Sequence, residues 1–289
     1  PIKSGRLISA KEINVIRQCS QLAPLHNPFN LLGIQEAARW GQKIVQAAVF
    51  DTAFFSCLPE YAKTYAIPES LAKRYQLYRC GFHGISHSYA LLEAARRLKK
   101  PARKLKAITI HLGGGASIAA IKNGKAVDTS MGFTPLEGLV MSTRSGDIDP
   151  GIIFYLLRQG FTPGKLENIL VNESGIKGLA NIKNMRTLVQ RVRRENALVS
   201  SAPARYRAGR AFDIYVYRIR KYIGAYLAAL GGCDAVLFTG AVGSGDSLTR
   251  NQVVKPLKRT ILKGVPVMAI ISNEEKMIAR EVLKLIRRG

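Results

Sequence analysis

A-I-T-I-H-L-G-G-G-A-S-I-A-A-I-K-N-G-K-A-V-D-T, residues 107 to 129, is the stretch that decides the fold of this chain. Ala107 to His111 reads as a buried strand that runs into Leu112-Gly113-Gly114-Gly115. Ser117 to Ile121 reads as a second strand, and Asn123-Gly124 is the turn dipeptide that joins it to a third, Lys125 to Asp128. Outward from this hairpin, Gln46 to Phe50 predicts an earlier strand that leads into Asp51-Thr52. Ala235 to Thr239 and Val265 to Ile271 predict two later ones, the first ending at Gly240. Phe212, Tyr215, Val216, Ile219, Ile223, Tyr226, Leu227 and Leu230 recur at three- and four-residue steps, so they form one wide helical face. Glu274 to Arg288 predicts a final amphipathic helix with Met277, Ile278, Val282 and Leu285 inward. The class is α/β with at least one antiparallel hairpin.

The chain has 289 residues, 47% of them apolar, enough for one large domain or two modest ones. No apolar run approaches the roughly 18 residues of a membrane span, and the first residues lack the apolar centre of a secretory signal. Cys19, Cys57, Cys80 and Cys233 are scattered without a C-x-x-C pair. This argues against a metal or disulfide framework and for a reducing cytoplasm. The net charge of +25 comes from basic clusters at 96–106, 186–194, 205–221, 255–263 and 276–288. Such a field attracts nucleic acid or an acidic membrane surface. The clusters are spread along the whole chain and several have the spacing of solvated helix faces. No aromatic platform accompanies them, so a generally basic surface is the reading, with nucleic-acid binding as its alternative.

The run Met141 to Pro150, M-S-T-R-S-G-D-I-D-P, sets Arg144 in a loop of hydroxyls, glycine and carboxylates. A guanidinium fork grips phosphate or carboxylate oxygens, and such a loop offers backbone N–H groups to an anion. Glycines at 113–115 let backbone approach a phosphate closely, although a tight hairpin turn would use them equally well. The run is not a Walker loop, because a strand follows it and G-K-[ST] is missing. Thr239 to Asp246, T-G-A-V-G-S-G-D, opens either a nucleotide-binding helix or a plain strand-to-helix turn. His83, flanked by glycines in G-F-H-G-I-S-H (81–87), faces a cleft or serves structure. His83 and His87 alone make a weak metal pair. Asp51 at a strand end is a functional carboxylate or an N-cap for the next helix. In S-N-E-E (272–275), the acids serve the helix dipole or a Mg²⁺ ion.

Together these segments resemble the acetate kinase family of acetate, propionate and butyrate kinases. The resemblance rests on A-P-L-H-N-P (23–28), V-F-D-T-A-F (49–54), G-F-H-G-I-S-H and H-L-G-G-G-A-S-I (111–118). It continues through D-T-S-M-G-F-T-P-L-E-G (128–138), T-R-S-G-D-I-D-P (143–150), Y-R-I-R-K-Y-I-G-A-Y (217–226), L-F-T-G (237–240) and S-N-E-E, in the family's order. It implies the acetate and sugar kinase, Hsp70 and actin fold, which is ribonuclease H-like. There, two α/β domains close on a nucleotide. The implied division is a remnant of the N-terminal domain at 1–52, a nucleotide-binding and catalytic domain at 53–272, and a C-terminal helix at 273–289 packing back on the first. The implied reaction is reversible transfer of the γ-phosphoryl of ATP to acetate, with Mg²⁺, by a cytoplasmic homodimer. Asp51 is then the active-site acid, and His83 and Arg144 stabilise the transferring group. His26 lies near the carboxylate, and Leu25, Phe82 and Pro135 hold the acyl tail. His111, Leu112, Gly113, Gly114 and Gly115 meet the phosphates. Asn184, Met185 and Arg186, with Gly240, Ala241, Val242, Gly243, Ser244 and Gly245, hold the nucleoside, and Glu274 holds Mg²⁺.

The chain also departs from the family. Gly114 stands where Asn is usual, Asn184 where Asp is usual, Ser244-Gly245-Asp246 where Glu-Asn-Ser is usual, and Phe55 where His is usual. The family's G-S-S-S phosphate hairpin and its H-R-x-x-H-G-G segment are not found in this sequence. The expectation is impaired turnover, and an exposed sheet edge that invites a partner or self-association. A non-catalytic nucleotide-binding or interaction protein on the same fold is the alternative.

Overall fold

Residues 5–18, 20, 27–41, 44–197 and 203–287 are described by the computed structural model. Two short strands, β1 (Arg6–Leu7) and β2 (Ala47–Ala48), pair antiparallel. The strand expected at Gln46 to Phe50 is thus cut to two residues, because β1 offers it only two partners. The main sheet has five strands: β3 (Lys106–Leu112), β4 (Ala116–Lys122), β5 (Lys125–Thr129), β6 (Ala235–Thr239) and β7 (Val267–Ala269). Their order is β5-β4-β3-β6-β7. The first three form an antiparallel meander, whereas β6 and β7 join parallel to β3. Asn123 and Gly124 both have positive φ (56° and 80°), as the two-residue hairpin turn demands.

Alternation along these strands sorts their side chains into two layers. Ile108, Ile110, Leu112, Ile118, Ala120, Val236 and Phe238 enter the larger core, against the helix Pro203–Leu230. That helix buries all eight residues of its predicted face, worth about 1.5–3 kcal/mol for each large apolar side chain. Ala107, Ile121, Ala235 and Leu237 face the other way, against Ala90, Leu91 and Ala94 of the helix Gly84–Arg97. The last helix, Glu274–Ile286, rests on that helix and on β2. Met277 is its buried residue, but Ile278, expected inward, is 38% exposed, because the face meeting the neighbouring helix is narrower than the apolar stripe.

Among the described residues no Lys or Arg of the five basic clusters is buried, and most are exposed. In the helix Met185–Ala197, Arg186, Arg191, Arg193 and Arg194 are exposed while Leu188, Val189 and Val192 are buried. Among the described residues no helix is long and apolar enough to cross a membrane.

Candidate active site

Parallel strands deliver their carboxyl ends to one edge of a sheet, where an open α/β fold leaves a crevice. Here β3 ends at His111–Gly115, β6 at Gly240, and β7 just before Glu274. The first two turns touch through backbone. A Cβ on Gly240, whose φ is +76°, would come within 2.5 Å of the Leu112 carbonyl oxygen. Only glycine allows this approach.

The helix Gly84–Arg97 points its N-terminus at the same edge, and Asp51 closes it. One carboxylate oxygen of Asp51 accepts from the His83 N–H (2.6 Å) and the other from the Ile85 N–H (3.1 Å). The Asp51 carbonyl accepts from Gly84 N–H at 3.0 Å. An anion on the first amides of a helix is favourable both as a charge-assisted bond and against the helix dipole. Asp51 therefore does not cap the next helix, as the capping alternative had it; its carboxylate meets the amides at the start of the helix Gly84–Arg97 instead.

This clamp fixes His83 in the left-handed region, with φ 58°. Its Nδ1 lies 2.9 Å from the Ser117 hydroxyl, and its ring stacks on His111 with centroids 4.2 Å apart. Its Nε2 and Cε1 edge faces Gly115, whose Cβ position would be 3.2 Å from both atoms and 3.6 Å from Arg144 Nη1. A glycine thus leaves a gap between backbone, imidazole and guanidinium of the kind an anionic oxygen fills. Arg144 forms no salt bridge among the described residues, and burial holds its pKa below the usual arginine value. Its Nη1 donates to the Pro135 carbonyl at 3.3 Å.

His111 Nδ1 lies 2.8 Å from the Ser86 hydroxyl. Burial, then the neighbouring His83, pushes the His111 pKa down to about 3, so it is neutral. Glu274 is shifted the other way, upward, by burial and next by the charge of Asp51. A carboxylate whose ionisation is disfavoured by burial and by the charge of Asp51 suits a hard cation held partly through water.

The site residues expected from sequence thus fall into four groups. Asp51, His83, His111 to Gly115, Pro135, Arg144, Gly240 and Glu274 come together, with Phe82 beside His83 and half-buried against the main core. The residues 240–245 form one short helix, in which Gly243 is buried, Ala241 and Gly245 are exposed, and Val242 packs partly on the core. Ser244 turns its hydroxyl back to the Gly240 carbonyl at 2.8 Å. Asn184, Met185 and Arg186 start a separate helix, tied to this one by the Arg193–Asp246 ion pair at 2.6 Å. Met185 is buried in the core and Arg186 is exposed. Asn184 accepts the Thr187 N–H at 2.8 Å and so caps its helix. Asn184→Ala is expected to lower stability by about 1 kcal/mol, read in a urea titration; an unchanged midpoint would contradict the capping role. Leu25 and His26 lie outside the described residues.

Sequence reasoning missed Ser86, Thr109 and Ser117, which tie the histidines to the sheet. His87 was noticed only as a poor metal ligand. It is wholly buried between Thr109 and Ser117, at 2.7 Å from each hydroxyl. The alternation T-x-H in β3 and the register His111↔Ser117 place these groups on one face, a signal available from the hairpin pattern alone. Among the described residues no group of three or more His, Cys, Asp or Glu could hold a metal ion.

Comparison with known proteins is consistent with this geometry. The family model described as the Acetokinase family matches residues 2–276. The chain is 40% identical over 306 residues to an acetate kinase of Acetivibrio thermocellus, covering 99% of this chain and 75% of the relative. It is 43% identical over 305 residues to one of Thermosipho melanesiensis, covering 98% and 73%. Among solved structures it resembles Porphyromonas gingivalis acetate kinase, with a TM-score of 0.88 at 36% identity over 99% of this chain and 75% of that one. A propionate kinase of Francisella tularensis gives the same TM-score at 35% identity, over 97% and 75%.

Proposed function

The chain belongs to the acetokinase family, and from that premise we propose that it transfers the γ-phosphoryl group of ATP reversibly to acetate, giving ADP and acetyl phosphate. Its fold is that of the solved acetate and propionate kinases. The observation that carries the reading is the convergence of His83 and Arg144 on Gly115, beside the carboxylates of Asp51 and Glu274. Acetate is already ionised at neutral pH, so no base is required. The barrier lies in bringing one anion onto another while charge spreads over the phosphoryl oxygens, and positioned cations and N–H donors lower it. Arg144 and His83 supply those donors. The backbone of Gly113 to Gly115 and of Gly240 to Gly245 approaches the nucleotide, and Phe82 and Pro135 line the acyl pocket. Each methylene in such a pocket is worth only about 1–3 kcal/mol, so acetate and propionate are weakly separated. The test is ADP and acetyl phosphate formed in equal amounts from ATP and acetate, with the acetyl phosphate trapped by hydroxylamine as the hydroxamate. ADP release that ignores acetate would overturn the proposal. The same rates measure what the drifted positions Gly114, Asn184 and 244–246 cost.

Glu274 is the residue proposed to hold Mg²⁺, with Asp51 opposite; the ion would offset phosphate charge. A carboxyl with a raised folded pKa favours its protonated form in the fold. Its cost is therefore absent below the unfolded pKa and appears as pH rises through the folded one. Glu274→Gln should raise the Tm of the ligand-free protein near pH 7, with the gain shrinking toward about pH 4, while weakening Mg²⁺–ATP binding. A Tm below that of the unaltered chain at pH 7 would count against it.

The proposal extends to assembly and placement. The helix Pro150–Arg158 leaves Ile152, Phe154, Tyr155 and Leu157 exposed, which supports pairing with a second copy. Sedimentation at micromolar concentration should show a dimer that Phe154→Lys weakens, and a monomer would contradict it. Cys57 and Cys233 are free thiols, in keeping with a reducing cytoplasm; cell fractionation would test this. The proposed division at 52/53 and 272/273 has the helix Glu274–Ile286 meeting both β2 of the first segment and the helix Gly84–Arg97 of the second, and limited proteolysis confined to other sites would argue against it.

A further inference from the structure

Behind His83 runs a chain of buried hydroxyls and imidazole whose protons can be placed by counting donors and acceptors. Thr109, Ser117 and His87 are all 0% exposed. Thr109 Oγ1 lies 2.7 Å from His87 Nδ1, His87 Nε2 lies 2.7 Å from Ser117 Oγ, and Ser117 Oγ lies 2.9 Å from His83 Nδ1. Burial, with His111 and His83 nearby, drives the His87 pKa well down, so that ring carries one proton. If the proton sat on Nδ1, it would point at Thr109, whose own hydroxyl proton would then have no acceptor among the described residues. A buried donor without a partner is costly. With the proton on Nε2 every group is satisfied: Thr109 donates to His87 Nδ1, His87 Nε2–H donates to Ser117, and Ser117 donates to His83 Nδ1. His83 Nδ1, as the acceptor from Ser117, carries no proton, which leaves the ring's proton on Nε2, the edge that faces Gly115 and Arg144.

We propose that Thr109, His87 and Ser117 are positioning residues that order protons along this chain, so that His83 presents an Nε2–H donor to the phosphoryl oxygens above Gly115. The second half of this inference rests on the kinase reading above. The first half, the proton order, does not.

The test is a long-range ¹H–¹⁵N spectrum of the histidine-labelled full chain at neutral pH without substrate, joined to kinetics. The expected result is Nε2–H on both His87 and His83. Thr109→Val removes the donor to His87 Nδ1 and should disturb both tautomers, while Thr109→Ser keeps them. A Thr109 that merely fills volume would reverse that ranking, since valine keeps its shape and serine does not, and this result would overturn the proposal. Thr109→Val and Ser117→Ala should each lower kcat about 10-fold or more with KM for ATP unchanged, and Thr109→Ser should restore it. Nδ1–H on His87 overturns the ordering whatever the rate. Ordered tautomers with kcat unchanged in both variants overturn the assignment of His83 to the phosphoryl group, leaving the proton order standing.

Discussion

Arg144→Ala is expected to cut acetyl phosphate formation about 10²- to 10³-fold, the usual loss for one donor to developing charge, with no fall in Tm. The separation of the two readouts follows from how the loop is held. Asp147 accepts from the Gly138 N–H at 2.7 Å and from the Tyr222 hydroxyl at 2.8 Å. Thr143 donates its hydroxyl to the Val171 carbonyl at 2.8 Å, and Ser145 N–H donates to Leu170 at 3.0 Å. None of these bonds uses the Arg144 side chain. That side chain contributes a half-buried cation without a salt bridge among the described residues, which costs the ligand-free protein. Arg144→Lys keeps the charge but not the planar fork and should recover only part of the rate. If Tm and rate fall together in Arg144→Ala, the arginine is structural and the assignment fails.

Gly175→Ala should cost about 2–5 kcal/mol from left-handed strain plus overpacking. Its φ is +58°, and an added Cβ would lie 2.2 Å from the Met141 carbonyl and 2.6 Å from that of Arg144. Those are backbone atoms of the loop just described, so relief of the clash must move Arg144. Activity should fall further than stability alone accounts for when assayed well below the melting transition. Gly224→Ala is the control. No atom lies within 4 Å of its Cβ position and it sits in the helix Pro203–Leu230, where alanine should stabilise by about 0.4–1 kcal/mol. Equal unfolding midpoints for the two variants would refute the account of Gly175.

Local pattern made the scaffold legible. The strand Ala235–Thr239 was placed to the residue, and the eight apolar positions between Phe212 and Leu230 are all buried. Asn123-Gly124 announced its turn because few other dipeptides tolerate positive φ twice. The site was legible only as separate letters. Asp51 looked like a cap for whatever helix came next, but its partners are the amides of His83 and Ile85. His87 looked surplus because its hydroxyl partners lie 22 and 30 residues away on two strands. Periodicity reports which face a residue occupies, but it does not report what meets that face from another element. Met185 shows the same limit: motif matching set it by the nucleoside, whereas its side chain belongs to the core.

Strand β3 carries oil on one side and chemistry on the other: Ile108, Ile110 and Leu112 alternate with Thr109 and His111. Deleting or inserting a single codon between 107 and 112 would therefore trade the two sides wholesale. Libraries aimed at altering this enzyme should hold that segment's length fixed and vary its letters, and place any insertions at Asn123-Gly124, where the chain turns back at the far end of β4.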